Sequence, residues 1–224
     1  MEKVLFCWSG GKDSALALYE IQKNQRYEIV SLLTTINEDY DRVSMHGVRR
    51  TLVEQQAYSL GLPIAKVLVP KSCSDEEYES KMSEVLAEFK QSGITRVVFG
   101  DVFLDWIREY RQNNLSKLDM EGVFPIWGRD TAELARSFII LGFQAVVTCV
   151  DTRVLNERFL GRVIDERFLA ELPPAVDPDG ENGEFHSFVF AGPIFKKRIA
   201  YTLGESVSRD SFCFCDLLPK EGVS

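Results

Sequence analysis

Two rhythms alternate along this chain. Short apolar runs at residues 3–8, 28–35, 64–69 and 96–99 read as buried strands. Between them lie longer stretches with apolar positions every three or four residues. These predict helices at 13–23, at 48–60, at 75–91 and from about 103 to 117. In the first helix Ala15, Leu16, Leu18, Tyr19 and Ile21 make a broad apolar face. Gly61 and Pro63 stop the second helix, and Gly93 ends the third. Ser74 is placed to cap that third helix, with Glu77 completing a capping box. A short segment near Val123 follows. Strands alternating with helices of this length predict parallel strands joined by crossover helices, that is, an α/β fold with a doubly wound parallel sheet. Such sheets bind ligands at the carboxyl ends of their strands. Residues 9–14, 34–37 and 100–101 fall at those ends.

After about residue 128 the rhythm loosens. A helix at 131–141, a strand at 143–150 and two short helical pieces at 155–160 and 165–172 lead to Pro173 and Pro174. The turn-rich "DPDGENG" then precedes "EFHSFVFAGPIF", which alternates like a strand. The predicted division is a first unit at 1–128 and a smaller α/β unit at 129–224 packed against it.

Composition narrows the class. A 45% hydrophobic share supports a real core. The apolar runs at 97–99 and 145–150 are too short to span a bilayer, and the first residues carry no signal-peptide pattern. A cytoplasmic protein, with no membrane association, is the expectation. The net charge of −8 argues against nonspecific nucleic-acid binding, which rests on Lys and Arg neutralising phosphates. Arg49 with Arg50, and Lys196, Lys197 and Arg198, read as solvated surface. None of the five cysteines forms a C-x-x-C pair. Cys7 and Cys149 lie inside apolar runs and read as buried thiols. Cys213 and Cys215 are spaced for one face of a strand, with metal binding the weaker reading. His46, in "SMHGVRR", reads as a loop histidine and is not assigned a catalytic role.

The candidate chemistry sits in "VLFCWSGGKDSALAL" at 4–18. A strand, a glycine loop and a helix present free backbone N–H groups at a helix N-terminus, where the macrodipole also favours an anion. Ser9, Gly10, Gly11, Lys12, Asp13 and Ser14 therefore read as a phosphate loop, against the simpler reading of a tight turn. Neither the Walker A spacing nor the dinucleotide G-x-G-x-x-G pattern is present. Asp13 is the informative oddity. A carboxylate in a phosphate loop repels its ligand unless a cation bridges them, so Asp13 implies Mg²⁺ shared with a polyphosphate.

"SGGKDS" resembles the signature of the PP-loop ATP pyrophosphatases. "GDVFLDWIREYR" (100–111), "PIWGRDT" (125–131) and "VDPDGENGEFHSF" (176–188) resemble, in order, segments of the diphthine–ammonia ligase branch in its compact, prokaryote-type form. Asp179 departs from the pattern, which leads one to expect a small residue or Cys there. The resemblance implies a Rossmann-like PP-loop domain followed by a smaller substrate domain. It also implies an ATP-dependent amide ligase: an acceptor carboxylate is adenylated, pyrophosphate leaves, and ammonia releases AMP. Diphthine in elongation factor 2, or a small-molecule carboxylate, would be the acceptor. Ser9, Gly10, Gly11, Lys12, Asp13, Ser14, Gly100 and Asp101 would hold ATP, with Asp13 on Mg²⁺. Lys12 or Arg108 or Arg111 would meet the developing charge or the substrate. Glu181, Asn182, Gly183 and Glu184 would form the acceptor side, the two carboxylates attracting ammonium. On their own, the same four residues read as a pair of turns. With neither histidine near a cysteine in sequence, free ammonia is the expected nitrogen source. Another PP-loop enzyme acting on a small molecule or tRNA, and a non-catalytic nucleotide-binding module, are the competing classes. A homo-oligomer is compatible with the sequence.

Overall fold

Alternate residues of the first strands bury into opposite cores. Val4 and Phe6 of β1 (Glu2–Cys7) join one apolar cluster, while Leu5 joins the other. In β2 (Tyr27–Asn37) Leu32 and Ile36 face the first cluster and Leu33 the second. A sheet covered on both faces needs apolar residues at consecutive positions, which is why these strands read as unbroken apolar runs. The computed structural model describes residues 1–220, so the last four residues of the predicted unit 129–224 lie outside the described residues.

The first sheet has six strands, completed by β3 (Arg42–Val43), β4 (Ile64–Val69), β5 (Arg96–Val98) and β6 (Glu121–Val123). β1 pairs in parallel with β2 and with β5, β4 with β2, and β6 with β5. The parallel strands therefore run β4-β2-β1-β5-β6, and β3 pairs antiparallel with the end of β2. The chain moves outward from β1 to β4 and then returns to the other side with β5. That reversal lies between the carboxyl ends of β1 and β5, where a doubly wound sheet leaves a crevice.

The crossover helices are α1 (Lys12–Lys23), α2 (Arg50–Leu60), α3 (Asp75–Gln91) and α4 (Asp105–Ser116). Residues of α1 and α2 pack into the first cluster; Leu86 of α3 and Leu115 of α4 pack into the second. Ser74 caps α3 as expected, its hydroxyl accepting from the Glu77 N–H at 3.1 Å.

The second sheet is antiparallel. After α5 (Thr131–Ile140) come β7 (Gln144–Asp151), a 3₁₀ turn at Glu157–Phe159, α6 (Glu166–Glu171), β8 (Phe185–Ala191), β9 (Tyr201–Arg209) and β10 (Phe212–Pro219). The order is β8-β7-β10-β9. Beyond the Cys213/Cys215 spacing, the sequence reading missed the β9–β10 hairpin. β9 offers no apolar stripe, because most of it from Leu203 onward is exposed. In β10 the alternation is real: Cys213, Cys215 and Leu217 are buried. This sheet has no core of its own. The cluster that contains Val4, Phe6 and Trp8 also contains Phe138, Val147, Phe188 and Phe190. Among the described residues no helix is long and apolar enough to cross a membrane.

An ion cluster joins the two sheets. Asp216 of β10 accepts from Arg49 at 2.6 and 3.1 Å and from Arg42 at 2.7 Å. Arg49 is thus more than solvated surface. Burial alone would raise the Asp216 carboxyl, but the two guanidiniums override it and hold it down at about 2. Its folded value lies below its unfolded one, so its stabilisation is present above about pH 4 and is lost as pH falls toward 2. Asp216→Asn is expected to cost about 1 kcal/mol at pH 7, discounted for solvent screening. Thermal unfolding at pH 7 and at pH 2 checks this: the gap from wild type should close at the lower pH, and an equal gap at both contradicts it.

Candidate functional site

The loop after β1 sits at the reversal point. Its hydroxyls fold inward: the Ser14 hydroxyl donates to the Gly11 carbonyl at 2.9 Å, and the Gly11 N–H donates to Ser9 Oγ at 3.2 Å. Ser9 and Ser14 hydroxyls lie 3.2 Å apart. Opposite, at the end of β5, Gly100 packs against the first turn of α1. A Cβ there would stand 2.9 Å from the Ser14 nitrogen and 3.0 Å from the Asp13 carbonyl carbon, so only glycine lets the two ends approach.

The second sheet docks directly on this loop. The Val189 N–H of β8 donates to the Gly10 carbonyl at 2.9 Å, and the Lys12 N–H donates to Ser187 Oγ at 3.2 Å. Gln56 of α2 is fully buried and ties three elements together. Its amide donates to the carbonyls of Gly10 at 3.0 Å and Val189 at 2.6 Å, and its oxygen accepts from the Trp8 indole at 2.8 Å. Buried polar groups are costly unless paired, and this one is fully used. Sequence reasoning did not single out Gln56 or Ser187; their partners lie 46 to 175 residues away.

Lys12 does not project into solvent. Its Nζ is 2.7 Å from Asp13 Oδ1 and 3.2 Å from Asp179 Oδ1, and it lies over the Phe185 ring at 5.7 Å. Burial alone would lower its pKa; Asp13 and Asp179 outweigh that and hold the ammonium above its usual range. Asp179 is 0% exposed. Burial, reinforced by neighbouring Asp13, pushes its carboxyl well above the usual range.

Glu181 and Glu184 diverge. Glu181 Oε1 accepts from the Val102 N–H at 2.8 Å, which brings it to the end of β5 within the field of Asp13 and Lys12. Burial first, and Asp13 second, raise its carboxyl to about 7. Glu184 turns to its own loop: its Oε1 accepts from the Asp177 N–H at 3.0 Å and from Asn182 Nδ2 at 3.1 Å. Gly183 closes the turn with an N–H bond to the Gly180 carbonyl at 3.1 Å. Glu181 therefore faces the phosphate loop while Glu184 braces the turn that presents it.

The arginines of α4 have partners. Arg111 forks onto Asp101 at 2.5 and 3.0 Å and lies over Phe99. Arg108 lies over Trp127 at 4.7 Å and Phe124 at 5.2 Å.

The two histidines meet beside the loop, their ring centroids 4.7 Å apart. His46 Nδ1 donates to the Ser187 carbonyl at 3.1 Å, and its Cε1 would lie 2.7 Å from a Cβ on Gly11. Burial lowers the His46 pKa, and burial with His46 beside it lowers His186 to about 3. Both are neutral imidazoles at neutral pH. The loop reading of His46 from sequence thus misses its place against Gly11. Cys149 stands opposite His186 across β7 and β8. Burial holds its thiol up at about 12, as it does for Cys7, so neither is a thiolate at neutral pH.

Two family models match the chain in succession. The one described as "Diphthamide synthase N-terminal domain" matches residues 2–121, and "Diphthamide synthase C-terminal domain" matches residues 130–218. A Danio rerio protein named "Diphthine--ammonia ligase" is 26% identical over 227 residues, covering 91% of this chain and 89% of that one. A Homo sapiens protein of the same name is 24% identical over 227 residues, covering 91% and 85%. Among solved structures, one titled as a predicted subunit of tRNA methyltransferase from Methanocaldococcus jannaschii aligns with a TM-score of 0.44 at 16% identity, covering 64% of this chain and 77% of that one.

Proposed function

Because the chain belongs to the diphthamide synthase family, we propose that it is an ATP-dependent amide ligase whose acceptor is diphthine in elongation factor 2. The observation that carries this reading is the loop of Ser9, Gly10, Gly11, Lys12, Asp13 and Ser14. It stands at the N-terminus of α1, at the reversal point of the sheet, with Glu181 brought near it by the turn that precedes β8. Residues 1–128 would hold ATP, and 129–224 would supply the acceptor side.

In the first step an acceptor carboxylate oxygen attacks the α-phosphorus. The new O–P bond forms as the α–β anhydride breaks, and pyrophosphate leaves. The loop's backbone amides and the α1 dipole favour the phosphates, and Lys12 is the cation nearest the developing charge. In the second step ammonia attacks the acyl carbon, the bond to AMP breaks, and one N–H proton must leave. Glu181, held at about 7, suits that proton and the attraction of ammonium that precedes it. Glu184, Asn182 and Gly183 hold Glu181 in register. With Cys7 and Cys149 held as thiols and the histidines paired with each other, free ammonia is the nitrogen source.

Asp13 fits one divalent cation, because its carboxylate is partly exposed at the loop and Mg²⁺ takes one or two carboxylates alongside substrate phosphates. Bound with ATP, Mg²⁺ would neutralise charge on the β- and γ-phosphates.

With ATP, ammonium and diphthine-bearing elongation factor 2, the expected products are amide, AMP and pyrophosphate in equal amounts. Chromatography of the nucleotides checks this. ADP and phosphate as the sole products would overturn the assignment.

A further inference from the structure

Asp13 is the one protein ligand assigned above, yet a second carboxylate, Asp179, shares the Lys12 ammonium with it. Asp179 is completely buried, and neither of its oxygens has an aligned hydrogen-bond partner, although the Asp13 carboxyl and the Lys12 ammonium both stand beside it. Its counter-charge is the Lys12 ammonium, 3.2 Å from Oδ1 without hydrogen-bond alignment. The same ammonium is already bonded to Asp13 Oδ1 at 2.7 Å. One cation is thus shared by two carboxylates, and Glu181 adds a third negative group within its field. Without a further cation a proton on Asp179 offsets this charge, in line with its raised carboxyl; a divalent cation that displaces that proton does the same and gains two carboxylate ligands.

We propose that Asp179 is the second protein ligand of a divalent cation, completing with Asp13 a two-carboxylate site whose position the Lys12 ammonium marks. This rests on the ATP-ligase reading, since phosphate oxygens and water fill the remaining positions. Hard carboxylate oxygens select Mg²⁺ or Mn²⁺ over softer metals. When the cation enters, it replaces the ammonium between the carboxylates, and Lys12 is released toward the phosphates. The same residue explains the departure at position 179. A small side chain or a thiol offers no hard oxygen, so this chain has a ligand where the resemblance leads one to expect none.

The probe is Mn²⁺, titrated by electron paramagnetic resonance against the full chain with a non-hydrolysable α,β-methylene ATP analogue present. Wild type should bind one Mn²⁺. Asp179→Asn and Asp179→Cys should weaken it at least about 10-fold while the analogue still binds. Unchanged Mn²⁺ affinity in either folded variant overturns the proposal, as does the absence of Mn²⁺ binding in wild type. A measurement on the unmodified chain stands beside these. Fe²⁺ with ascorbate and peroxide should cleave the backbone both near Asp13 and near Asp179; cleavage near Asp13 alone overturns the proposal. Mn²⁺ binding that depends on Asp179, without formation of AMP and pyrophosphate, supports the cation site and overturns only the ligase reading.

Discussion

Lys12→Met is expected to destabilise the chain by about 3 kcal/mol and to lower turnover at least about 100-fold. The stability loss follows from Asp179. Removing one partner of a buried ion pair leaves the other charge without water or cation, at about 3–5 kcal/mol. The figure lies at the low end because Asp179, already pushed upward by burial and Asp13, can take up a proton instead. The double variant Lys12→Met/Asp179→Asn should regain most of the stability and none of the activity. Urea unfolding with a parallel turnover assay separates the two effects. A double variant as unstable as the single one would show that Asp179 is not what Lys12 supports.

The second large effect is expected at Gly100. Gly100→Ala places a methyl group 2.9 to 3.0 Å from backbone atoms of Asp13 and Ser14. Neither is the end of a flexible side chain, so the first turn of α1 must move. Overpacking of this kind costs about 1–3 kcal/mol. Displacing a positioned phosphate loop by a fraction of an ångström to 1 Å can lower turnover about 100-fold. Melting temperature and turnover measured together check both. Turnover at the wild-type level in a variant with a lowered melting temperature would show that the close approach of β5 to α1 serves stability alone.

The first sheet was legible because its physics is local. Val4, Leu5 and Phe6 are all buried, each toward one of two cores, so consecutive apolar residues mark the strand. Ser74 sits three residues before Glu77, and the cap needs nothing further. The phosphate loop was legible for the same reason: its glycines, hydroxyls and helix start lie within six residues. Domain assembly was not legible. Gln56 is an unremarked polar residue on a helix until Gly10, Trp8 and Val189 are brought to it from distant parts of the chain. Glu181 and Glu184 look equivalent in "GENGEF", and only the folded turn sends one to Val102 and the other to Asp177. Asp179 was visible as a departure, but its ion contact with Lys12 depends on two segments 167 residues apart meeting in space. Arg111 is a candidate for the substrate side by its place on α4, and its fork on Asp101, ten residues earlier, depends on the loop that precedes the helix.

The Gln56 junction also determines how the cleft can behave. A hinge between the sheets would have to break the Gln56–Val189 bond and the Val189–Gly10 backbone bond beside it, each lost bond leaving a buried group unsatisfied at about 1–3 kcal/mol. Jaw-like closure over ATP is therefore disfavoured, and the two halves act as one preformed mould. Selectivity in such a mould comes from shape that exists before the nucleotide arrives rather than from a conformational search after it. On the proposed reaction, water would then be excluded by the acceptor itself, and a carboxylate that fails to seal the mouth would leave its adenylate open to hydrolysis.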